Sequence, residues 1–186
     1  MKKFVGKISV ILALAVLGSS AGAAVASAAV APKGAARGVT TVTLNQGTIS
    51  AVVGLGLTPA PVSPGVLGMD GADLKAAFPI VGNMKAGLIK HTGGLSLTAG
   101  STVLALTNYT IDTGRGVLTA MATLNGTEVG RIVLFNLGTA PSQTGCAATA
   151  SLALSSDAAG ALTAIFGAPD GLAGTDFGVA CVAPRS

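Results

Sequence analysis

The chain of 186 residues contains no tryptophan, one tyrosine, one histidine and one glutamate, and only 10% of it is charged. Each scarcity removes a class of function. With His91 as the only histidine, a nucleophilic triad would have to be built on it, yet past residue 28 no Gly-x-Ser-x-Gly elbow presents a partner serine. With Glu128 as the only glutamate, paired-carboxylate chemistry falls to aspartates. Asp70-Gly71-Ala72-Asp73 and Asp170 with Asp176 are the only acidic groupings, and neither has the alternating oxygen ladder with a distal glutamate that a calcium loop uses. They read as loop caps. One histidine and two cysteines expected to pair with each other do not make a zinc site. No catalytic or metal-binding residues are expected, and the protein is not read as an enzyme. Beyond residue 28 the aromatics are Phe78, Tyr109, Phe135, Phe166 and Phe177, a normal core allotment and too few for the stacking platforms of single-strand binding.

What is present at the N-terminus is a secretory leader, assigned to residues 1–28. Lys2, Lys3 and Lys7 form its basic region, Ile8 to Leu17 is apolar apart from Ser9, and small residues follow to Ala26-Ser27-Ala28. Cleavage is expected before Ala29, with a cut after Ala26 as the alternative. The remainder is therefore expected to be secreted, or associated with the cell wall or envelope. Three of the 11 Lys and Arg leave with the leader while all seven Asp and Glu stay, so charge is nearly balanced afterwards. That balance gives no footprint for nucleic acid or an anionic surface. No later apolar run approaches the ~18 residues of a spanning helix. Neither cysteine lies in the leader, which closes the lipoprotein route, and Pro184-Arg185-Ser186 carries no sorting motif or apolar tail. Cys146 and Cys181, in an oxidising compartment, are expected to form a disulfide whose loop of about 35 residues contributes roughly 3 to 4 kcal/mol.

Residues 29–38 have no periodicity and read as a lead-in; residues 39–186 read as one domain. Val39 to Leu44 alternates as a half-buried strand, Asn45 offers an N-cap for a short helix over Gly47 to Val53, and Leu57 to Val62 carries prolines that suit an edge strand. Near the other end, Ala150 to Leu154 is strand-like, Ser155 or Ser156 is a cap, Ala158 to Phe166 has helical periodicity, Gly167 is a C-cap and Phe177 to Val182 is a strand. The two runs look like an internal pseudo-repeat. Between them, Gly87 to His91, Leu95 to Thr98, Thr102 to Ile111, Val117 to Leu124 and Val129 to Leu137 are separated by short turns. Asn125-Gly126 is a preferred type I′ pair, so Val117 to Leu137 is read as a hairpin within an antiparallel meander. Both registers of Val103 to Leu106 are apolar, which points to burial on two faces. The fold class expected is mainly β, an antiparallel β-sandwich or meander with two short helices.

The stretch Leu88-Ile89-Lys90-His91-Thr92-Gly93-Gly94-Leu95, running on through Leu106-Thr107-Asn108-Tyr109 to Gly116-Val117-Leu118-Thr119-Ala120, resembles secreted actinobacterial β-rich proteins, as does Phe78-Pro79-Ile80 before it. The same region, about residues 78–137, is distantly similar to the HtaA-type haem-binding domain of corynebacterial haem uptake. The resemblance implies haem as a ligand, with His91 matching a position of the family's motif. It also implies an axial tyrosine near the domain start, where this chain has none before Tyr109. The leading expectation is a non-catalytic binding or structural module of the cell envelope, with an unknown extracellular partner and no cofactor. The alternative is a carrier of haem or another hydrophobic ligand, with His91 and Tyr109 as the contacts.

Overall fold

The computed structural model describes residues 36–185; the leader read at 1–28 and most of the lead-in lie outside the described residues. In chain order the elements are β1 (Gly38–Leu44), α1 (Gln46–Gly54), β2 (Thr58–Val62), β3 (Val66–Asp70), β4 (Asp73–Lys85), β5 (Leu88–His91), β6 (Gly94–Ala99), β7 (Thr102–Asp112), β8 (Val117–Leu124), β9 (Thr127–Gly138), β10 (Ala148–Leu154), α2 (Ser156–Phe166) and β11 (Asp176–Pro184). The local signals act as their chemistry requires. The Asn45 side chain accepts from the Thr48 N–H at 2.7 Å to start α1, and Ser155 caps α2, which Gly167 ends in the left-handed region at φ 66°. Asn125 and Gly126 both take positive φ between β8 and β9. A two-residue turn of this kind matches the right-handed twist of the strands it joins.

The architecture is a closed barrel, not the sandwich or open meander expected. β7, β5, β4, β1, β11, β10, β9 and β8 neighbour one another in that order, and β8 pairs back onto β7 to complete an eight-strand antiparallel cycle. The meander holds for β6 through β9, whereas β5 passes over its sequence neighbour β6 to join β4 to β7. The pseudo-repeat also dissolves: β10 and β11 pair with each other, while β1 pairs with β4 and β11 and β2 lies at an edge on β6. β3, on β4, is the other addition to the barrel.

Burial on two faces, expected from both registers of Val103 to Leu106, is not found: Leu104 and Leu106 are buried, whereas Val103 is 36% exposed and Ala105 half-buried. β7 faces the interior with Leu104 and Leu106 and then, after a register shift between Thr107 and Thr110, with Tyr109 and Ile111. Asn108 sits in that bulge at φ 52°. One extra residue switches the parity, so both sets point inward without a second covered face. β9 repeats the device against β8, burying Leu134 and Phe135 in succession. Bulges bend and twist strands, as a closing sheet requires, and an eight-strand barrel is just wide enough for side chains to fill it. Ile80 and Leu152, both at 0% exposure, belong to that filling. Cys146 and Cys181 form the expected disulfide, with a Cα–Cα distance of 5.4 Å, tying the segment before β10 to β11.

Candidate functional site

The barrel wall is weakest in pairing at β5. This strand of four residues joins β4 through Ile80–His91, Val81–Lys90 and, after a register shift, Lys85–Leu88, and joins β7 through Leu88–Asp112, Ile89–Ile111 and Lys90–Thr110. Past His91 the wall branches, with β4 carrying β3 and β7 carrying β6 and β2. Gly93 and Gly94 make the branch: Gly93 takes φ 79° beside Gly65, and a Cβ on Gly94 would run into the Leu106 carbonyl oxygen. The Gly-Gly pair after His91 is thus a steric requirement of two backbones meeting.

His91, read from sequence as the end residue of a strand, points into the barrel and is 4% exposed. Its Nδ1 lies 3.2 Å from the Tyr109 carbonyl oxygen and its Nε2 lies 2.7 Å from the Thr40 hydroxyl. A carbonyl only accepts, so Nδ1 carries the proton and donates; Nε2 is then an acceptor, and the Thr40 hydroxyl donates to it. Burial pushes the imidazole pKa down to about 4, opposed in part by the Tyr109 carbonyl. The neutral ring is the resident form at neutral pH.

Tyr109 meets His91 through its backbone, not its hydroxyl. The phenol oxygen accepts the Leu95 N–H at 3.1 Å, and burial raises the phenol pKa well above the ordinary range. Phe78 stands edge-on to its ring, with centroids 4.7 Å apart and planes at 66°. On the outer side, Arg131 donates to the Asn108 carbonyl at 3.1 Å and to the Thr119 hydroxyl at 3.0 Å, bracing the bulge from which Tyr109 turns inward.

Thr40 is the site residue that the sequence reading missed. It shares the register of Val42 and Leu44, so the alternation of the first strand already placed a hydroxyl on the buried face. Where the family resemblance implies a tyrosine near the domain start, the residue that β1 sets against His91 is this threonine, 2% exposed. Around the cluster is an interior cavity of about 100 Å³ with an almost wholly apolar lining, reached by Thr40, His91 and Tyr109 and also by Ala158, Ala161 and Leu162 of α2.

A hydroxyl donating to an imidazole whose other nitrogen is tied down has the outline of a nucleophile and base. The surroundings do not support that chemistry here. The second nitrogen faces a carbonyl instead of a carboxylate, and burial disfavours the imidazolium that a general base must become. Among the described residues, no group of three or more His, Cys, Asp or Glu could hold a metal ion, and no helix is long and apolar enough to cross a membrane.

Neither a protein-family model nor a curated protein sequence matches this chain. Two solved structures from Corynebacterium glutamicum are similar in fold. The C-terminal domain of HtaA is 16% identical, over 78% of this chain and 96% of that one, with a TM-score of 0.49. The haem-binding protein HtaB is 10% identical, over 78% of this chain and 90% of that one, with a TM-score of 0.50. The likeness to HtaB shows that the barrel of this chain is a fold it shares with a haem-binding protein.

Proposed function

We propose that this domain is a non-catalytic binding module working outside the cytoplasm, and that its ligand is haem, taken beside His91. The observation that carries the reading is the state of His91 in this fold: a neutral imidazole with Nδ1–H fixed on a carbonyl, so that the lone pair, now accepting the Thr40 hydroxyl proton, is on Nε2 within an apolar interior. Histidines that bind metals are held in this way, since the hydrogen bond at one nitrogen sets the tautomer and raises the basicity of the other. The fold shared with HtaB supports the choice of haem, and the disulfide supports an oxidising compartment.

The donor chemistry fits haem iron, but the volume does not. A cavity of about 100 Å³ is well below the roughly 300 Å³ at which small-molecule pockets begin. Haem binding therefore requires the wall to part at the branch, where β5 is held by short ladders. Thr40 must also release Nε2. Haem titration of residues 29–186, followed between about 350 and 650 nm, is expected to give a saturable Soret band that His91→Ala abolishes. A titration without saturation, or a band unchanged in His91→Ala, overturns the haem reading.

A further inference from the structure

We infer that the barrel interior between Thr40–His91 and α2 is a binding site for a small uncharged apolar molecule. The inference goes beyond the haem reading and needs no opening of the wall. Its volume comes from composition. α2 faces the cavity with Ala158 and Ala161 as well as Leu162, and alanine methyls are too short to reach across the interior of an eight-strand barrel.

The lining selects the ligand. An apolar cavity of ~150 Å³ accepts benzene in a well-studied engineered case, so about 100 Å³ suits a molecule of roughly four or five heavy atoms. Charge is excluded, because the lining offers almost no polar surface with which to solvate an ion. The single polar corner is satisfied within the protein, since Nδ1–H of His91 is committed to the Tyr109 carbonyl and the Thr40 proton to Nε2. A short branched halocarbon matches the size and the polarity; a carboxylic acid or an amine does not.

The test is a titration of the full domain, ¹³C-labelled at methyl groups, with isobutyl fluoride and with isobutylamine, which has nearly the same shape and carries a charge at neutral pH. The fluoride is expected to shift the methyls of Leu162, Ala158 and Ile111 saturably, and the amine to leave them unmoved. Ala161→Leu, or Ala161→Val where leucine overfills, should abolish the shifts while the fold is retained. Absence of saturable shifts, or shifts that persist in the filled variants, overturns the site. Equal affinity of amine and fluoride overturns the exclusion of charge. Because these signals are read without haem, a failed haem titration leaves this result standing, and the reverse holds as well.

Discussion

Lowering the pH from neutral to about 4 should remove a definite part of this domain's stability through one side chain. Burial holds the His91 pKa near 4 against an ordinary value of 6.5. Between those values the unfolded chain takes up a proton that the folded chain refuses, so stability falls as pH falls. The loss starts near pH 6.5, approaches ~1.4 kcal/mol per pH unit in mid-window and flattens below about 4, where both states are protonated. A difference of about 2.5 units corresponds to roughly 3 kcal/mol in total. Neither partner of the ring titrates in this window: Thr40 is neutral, and burial raises the Tyr109 phenol. Asp70, held below the usual carboxylate range by its hydrogen bond to Lys75, acts at lower pH. The assay is urea unfolding in half-unit steps across the window, for the wild type and for His91→Gln, which keeps an acceptor for Thr40 and does not titrate. The wild type should lose about 3 kcal/mol more than the variant on the way to pH 4. Parallel curves would refute the burial argument, and a slope of opposite sign would mean that His91 is charged in the folded state.

Cys146→Ser should lower stability by roughly 3 to 4 kcal/mol in the chain-entropy account of a 35-residue separation, seen as a melting temperature several degrees lower. Identical melting under reducing and oxidising conditions would remove the disulfide's contribution. Tyr109→Phe takes the acceptor from the Leu95 N–H and should cost about 1 to 3 kcal/mol, with faster hydrogen exchange at Leu95 as the local sign. Unchanged exchange there would show that the phenol does not hold β6.

Much of the secondary structure was legible because its causes are local. Asn45 and Ser155 cap helices by reaching their own first turns, Gly167 takes the left-handed residue and Asn125-Gly126 makes a tight hairpin, each within a few residues of sequence. The prolines of Thr58–Val62 marked an edge strand correctly, since a strand with a neighbour on one side alone can lack donors on the other. β4 was not foreseen. Its inward residues Ala76, Phe78 and Ile80 alternate with Lys75, Ala77 and Pro79, and a proline within such a run argues against a strand inside a sheet. Pro79 is tolerated at the gap on one edge of β4, between the ladder to β3 that ends at Ala77 and the ladder to β5 that starts at Ile80.

His91, Tyr109 and the two cysteines were identifiable as rare residues, and the cysteines as a pair, because two thiols expected in an oxidising compartment have only one intramolecular partner to take. The direction of His91 was not identifiable. It depends on β5 choosing β4 and β7 over β6, and on a bulge at Asn108 that reverses the parity of β7. Both are non-local: partner choice is decided by which strands reach closure, and one residue of register turns a side chain from solvent to core. The sequence alone therefore determined most of the elements, though not β3 or β4, together with their turns and the covalent tie. Only the tertiary structure decided that the sheet closes, that Thr40 faces His91 across 51 positions of sequence, and that the one histidine is buried and neutral.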